Sequence, residues 1–163
     1  MLSTIVVTYP WLTTAALVAL LILGPLAGSW LTTRSRITGA LLTLSILAVA
    51  LFTLLPADRD LVVGCTVAWS LPTLGAVELM ANLVLFVPPV LLAGILTGRP
   101  GTMLLVASGA SAVIEVIQAF LPVLGRSCAT NDWLANTLGA ALGAVLAVAA
   151  SRLATPKARP GGR

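Results

Sequence analysis

Residues 102–121 read TMLLVASGASAVIEVIQAFL. An α-helix rises about 1.5 Å per residue, so a stretch of this length crosses the roughly 30 Å hydrocarbon core of a bilayer. A soluble helix of the same length would carry a broad charged face. This one carries a single charge, Glu115, with Gln118 three residues later. Two conclusions start here: the segment spans a membrane, and it holds an acid that hydrocarbon does not tolerate without a reason.

Working outward, four further apolar stretches of similar length appear, at about 11–31, 37–55, 79–97 and 133–153. The 163 residues are 59% hydrophobic and only 9% charged, and the mean hydropathy is +1.09. A soluble domain of this size needs far more polar surface. The reading is an all-α, polytopic transmembrane bundle of about five spans, one domain over 1–153. A disordered basic tail at 154–163 follows it, rich in Pro, Gly, Lys and Arg. The first basic residue, Arg34, comes after the first apolar run, so the start of the chain is not expected to be a cleavable signal.

Basic residues set the expected orientation. Arg34 and Arg36 separate spans one and two, and Arg99 separates spans three and four. Arg152, Lys157, Arg159 and Arg163 follow span five. All seven fall on one side, with no acid among them. The positive-inside rule then places the N-terminus outside and the C-terminus in the cytoplasm of a multi-pass cell-membrane protein. The net charge of +4 is read as topology, not as a nucleic-acid footprint. With no histidine and two cysteines, no metal site and no cofactor are expected.

The outer connections are distinctive. Residues 61–71, LVVGCTVAWSL, are apolar but too short to cross, and are expected to lie at the interface or fold back over the bundle with Trp69 as anchor. Cys65 lies in this loop and Cys128 in the other outer loop. A disulfide between them and a pair of free thiols are both open at this level.

Three polar pairs carry the functional signal: Glu78 with Asn82, Glu115 with Gln118, and Asp132 with Asn136. Each pair is three or four residues apart and shares a helix face. Only Asp58 and Asp60 among the acids stand outside them. The topology brings all three pairs to the outer end. Glu115 then lies roughly 9 Å below the helix end. Arg126, the basic residue in the loop joining spans four and five, is the expected partner for an acid or an anionic ligand. The bland alternative is that these side chains only hold helices together. Gly139 and Gly143 form a GxxxG pair, read either as packing within the chain or as a homo-oligomer contact. Pro88 and Pro89 are expected to bend span three.

These residues resemble the VanZ-like membrane proteins. The resemblance rests on N-x-x-L-F-x-P at Asn82, Leu85, Phe86 and Pro88, E-x-x-Q at Glu115 and Gln118, and F-L-P at 120–122. Gly125, Arg126, Asp132, Asn136, Gly139 and Gly143 continue it, so the VanZ-like motifs cover 78–145. Two positions depart from the pattern. Ala129 stands where such proteins usually carry an acid or hydroxyl, leaving Thr130 or Asn131 as replacements. Pro89 and Val90 stand where a glycine often follows the proline. The resemblance implies a link to low-level resistance to teicoplanin, a lipoglycopeptide, without implying a reaction.

Three functions are weighed. The first is a non-enzymatic envelope protein that binds or excludes an amphiphile, such as a lipid-linked cell-wall precursor or a lipoglycopeptide. Its ligand-binding set would be Glu78, Asn82, Glu115, Gln118, Arg126, Asp132 and Asn136. The second is a membrane enzyme on a lipid head group, with Glu115 and Asp132 as acid and base. The third is a small transporter, ranked last because the inner half-spans lack a polar path.

Overall fold

The computed structural model describes residues 8–56, 65–73, 75–121 and 128–154. Five helices long and apolar enough to cross a membrane lie among them. They are α1 (Trp11–Leu31), α2 (Ser35–Leu54), α3 (Val77–Thr97), α4 (Pro100–Phe120) and α5 (Thr130–Ala154). Two residue pairs form short strands, β1 (Cys65–Thr66) and β2 (Cys128–Ala129), which pair in parallel. The fold is otherwise all-α, as the hydropathy pattern requires. The tail beyond Ala154 lies outside the described residues.

Turns follow local chemistry. Arg34 N–H donates to the carbonyl of Leu31 at 2.9 Å, and Thr38 Oγ1 donates to the same carbonyl at 2.9 Å, so the turn closes on the last carbonyl of α1. Gly98 ends α3 with φ 67°, a left-handed geometry in which a side chain would be strained, and its N–H donates to Gly94 O at 3.0 Å. Pro100 then opens α4, where its missing N–H has no helical partner to lose. Pro25, Pro88 and Pro89 sit inside their helices, which run on through them.

Small residues set the layout. α3 and α5 run side by side in the same direction as the central pair. A Cβ on Gly139 would overlap the carbonyl oxygen of Leu83, and one on Gly143 would come within 2.5 Å of Val87 O. Farther along, Gly94 of α3 faces Ala147 of α5. The GxxxG pair therefore seats α5 directly on the α3 backbone. Val87, Leu91, Leu146 and Ala147 form one core cluster; Val90, Ala140 and Ala144 form another, against Met103 and Leu104 of α4. α1 packs on α3 and α5, and α2 packs chiefly on α3. Half of the hydrophobic window of α5 is buried, against 11% for α2. Leu44, Ile46, Leu105, Val113 and Phe120 stand exposed on α2 and α4. In water that would be a large apolar patch; in a bilayer it is the lipid-facing surface.

Candidate functional site at the disulfide end

At the end where α3 and α5 begin, the stretch 65–73 forms a strap over the bundle. Cys65 and Cys128 are joined in a disulfide, with Cα atoms 4.6 Å apart. Thr130 Oγ1 donates to Ala68 O at 2.6 Å and accepts from Ala68 N–H at 2.9 Å. Asn131 Oδ1 accepts from Ser70 N–H, and its Nδ2 donates to Ser70 Oγ, both at 2.8 Å. Trp69 meets Trp133 edge to face, with ring centroids 6.5 Å apart. The strap is thus bonded covalently and by backbone to β2, and by side chains to the first turn of α5.

Beneath it runs a polar stripe on α4. Ser108, Ser111, Glu115 and Gln118 follow a three–four–three spacing, which holds them on one face. Ser108 shares a hydrogen bond with Thr137 Oγ1 at 2.9 Å, and its carbonyl accepts from Trp133 Nε1 at 3.2 Å. Ser111 Oγ accepts from Asn136 Nδ2 at 2.8 Å. Glu115 Oε2 accepts from Ala129 N–H at 3.0 Å. Gln118 Nε2 donates to Thr53 O of α2 at 2.8 Å. Ser111, Glu115, Gln118 and Asn136 are all at least nine-tenths buried.

One buried acceptor is unmatched: Asn136 Oδ1 has no hydrogen-bond partner among the described residues. Its side chain is bonded to Ser111, one α4 turn from Glu115 and about 6 Å along the helix. An unpaired buried acceptor is uncommon and calls for an explanation.

The other predicted site residues are placed as follows. Glu78 is exposed in the first turn of α3, and Asn82 is half-buried one turn deeper. Asp132 is half-buried in the first turn of α5, near enough for its charge to reach Glu115. Arg126 lies outside the described residues. Thr130 and Asn131, the expected replacements for the missing hydroxyl, are bound to the strap, while Ala129 contributes its backbone N–H to Glu115. Sequence reasoning did not single out Ser108 and Ser111 as polar partners. Their spacing from Glu115 and Gln118 was the available signal.

Charge is segregated along the bundle. Among the described residues, Glu78, Glu115 and Asp132 share the disulfide end, and Arg34, Arg36, Arg99 and Arg152 share the opposite, basic end. Among those same residues, no group of three or more metal-ligating side chains forms. A family model described as VanZ/LLP1 matches residues 11–151. No curated protein and no solved structure matches the chain.

Proposed function

The chain belongs to the VanZ/LLP1 family, and from that premise we propose that it is a non-enzymatic membrane protein of the bacterial cell envelope that binds an amphiphile at its disulfide end. With that end outside, the site faces the outer leaflet. The ligand class is a lipid-linked cell-wall precursor or a lipoglycopeptide antibiotic, and the process is tolerance of teicoplanin-type drugs.

The observation that carries this reading is the unmatched buried acceptor Asn136 Oδ1, one α4 turn from the buried Glu115, under a bonded strap. Side chains that only glue helices end with their hydrogen bonds made, because an unmade one costs about 1–3 kcal/mol. Here Gln118, Ser111 and Glu115 each make a bond within the protein, while Asn136 keeps one acceptor unmatched. With Glu78, Asn82 and Asp132 nearby in the fold, the set accepts far more than it donates. That suits a ligand presenting donors, such as sugar hydroxyls or amines, on an apolar tail held by lipid.

A second reading has one observation behind it: Asp132 lies within electrostatic reach of Glu115. Two neighbouring carboxyl groups can divide acid and base roles on a lipid head group.

The test is drug susceptibility in a sensitive Gram-positive host. Teicoplanin is compared with vancomycin, expressing wild type, Glu115→Gln, Asn136→Leu or Arg126→Ala at matched membrane levels. Teicoplanin tolerance that requires Glu115 and Asn136 supports the binding reading. Wild-type protein without any shift in tolerance overturns the resistance role.

A further inference from the structure

The opposite end of the molecule carries a second feature that the site above does not use. α1 and α3 leave between them a groove of about 260 Å³ that opens on the lipid side. Ala19, Leu23 and Ala27 form its α1 rim, spaced four residues apart on one face and all exposed. Gly24 and Gly28, which bring α1 close to α5, deepen it. Pro88, Leu91 and Leu92 make the α3 wall. The lining is apolar throughout its length, as a surface in contact with hydrocarbon must be.

Along α1 the lining runs from Ala19 to Leu31, twelve helical steps and about 18 Å; along α3 it runs from Pro88 to Leu92, about 6 Å. One leaflet of hydrocarbon is about 15 Å deep. The α1 wall therefore runs the depth of one leaflet, enough to lie along an acyl chain that α3 contacts over part of its length, and its Leu31 end lies in the basic half. Just beyond Leu31 stand Arg34 and Arg36, both exposed. Arg34 lies over the ring of Trp30, 3.7 Å from its centroid, and donates through Nη1 to Trp30 O at 3.1 Å. Trp30 is itself half exposed, at the level where tryptophan anchors at a membrane interface. One of the five N–H donors of Arg34 is used there; among the described residues the others have no hydrogen-bond partner. Arg36 makes no side-chain hydrogen bond among the described residues, and the described acids all lie at the far end of the bundle.

We propose that this groove is a binding site for one anionic phospholipid of the bilayer, its acyl chain along α1 and α3 and its phosphodiester at Arg34 and Arg36. An apolar wall that ends at Leu31 is followed within five residues by two arginines, an apolar-then-cationic order that suits a lipid better than a soluble anion. The site is independent of the acceptor cluster at the disulfide end.

The test is native mass spectrometry of the full chain, with phosphatidylglycerol and phosphatidylcholine of identical chains supplied in equal amounts. Wild type is expected to retain one phosphatidylglycerol in preference to phosphatidylcholine. An arginine in contact with the lipid phosphodiester contributes about fivefold to such a preference. Arg36→Gln, at an exposed residue without a partner among the described residues, should lower it about fivefold, and Arg34→Gln with Arg36→Gln about thirtyfold. Ala27→Leu fills the groove and should reduce retention of both lipids, while Val113→Leu on the exposed face of α4 should change neither. Arg99→Gln should leave the preference within about twofold. Equal retention of the two lipids by wild type overturns the proposal. So does an Arg99→Gln effect as large as that of Arg36→Gln, which would mean diffuse attraction. A lipid-free dimer dissolved by Ala27→Leu also overturns it and makes a second copy the occupant.

Discussion

Glu115 Oε2 accepts the backbone N–H of Ala129 at 3.0 Å, which ties the one acid inside a predicted span to the residue next to the disulfide. A carboxylate placed several ångströms into the bundle is therefore held by the same segment that anchors the strap. The two halves of the site, helix and strap, meet at this bond.

Replacing Glu115 by Ala leaves the Ala129 N–H without its acceptor. The expected loss is about 1–3 kcal/mol, seen as a lower thermal midpoint of the detergent-purified protein. Glu115→Gln keeps an acceptor at the same reach and should lose less. Equal midpoints for Ala and wild type would show that the bond does not hold the strap.

Asn136 and Ser111 form a buried pair in which one acceptor is unmatched. Removing both polar partners together is close to neutral for stability. Ser111→Ala with Asn136→Leu should thus melt within about 1 kcal/mol of wild type and still lose teicoplanin tolerance. A large drop in stability with function retained would make the pair structural.

The cysteines join residues 63 apart in sequence. Closing a loop of that size contributes about 2–5 kcal/mol. Cys65→Ser should lower the midpoint accordingly. In wild type, alkylation of two thiols should appear only after reduction; alkylation without reductant would contradict the bridge.

Gly139 and Gly109 make a matched comparison. A methyl on residue 139 meets the Leu83 backbone, whereas one on residue 109 meets nothing within 4 Å. Gly139→Ala should destabilise by about 1–3 kcal/mol or more. Gly109→Ala, in an exposed helix position, should stabilise by about 0.5–1 kcal/mol. Thermal melting of the two variants side by side decides it.

Hydropathy alone placed all five helices within a few residues, because crossing hydrocarbon demands length and apolarity and little else. Polar pairs at helical spacing pointed to Glu115, Gln118, Asp132 and Asn136 for the same reason: a polar group at that depth stands out against its surroundings. Which of them would be bonded was not legible. Gln118 turned to the α2 backbone and Asn136 to Ser111; the first depends on how close α4 comes to α2, the second on how close α5 comes to α4. Ser111 was legible only as a small residue until that approach made its hydroxyl a partner.

The sequence by itself determined the membrane bundle, the segregation of acids from arginines, and the family-like spacing from Asn82 to Gly143. Those are properties of composition and period, which local chemistry writes directly into the chain. Only the tertiary structure decided that Cys65 pairs with Cys128, that Gly139 and Gly143 seat α5 on α3, and that Ala129 serves Glu115 through its backbone. Each of these joins residues distant along the chain, and a contact of that kind exists only after helices have packed.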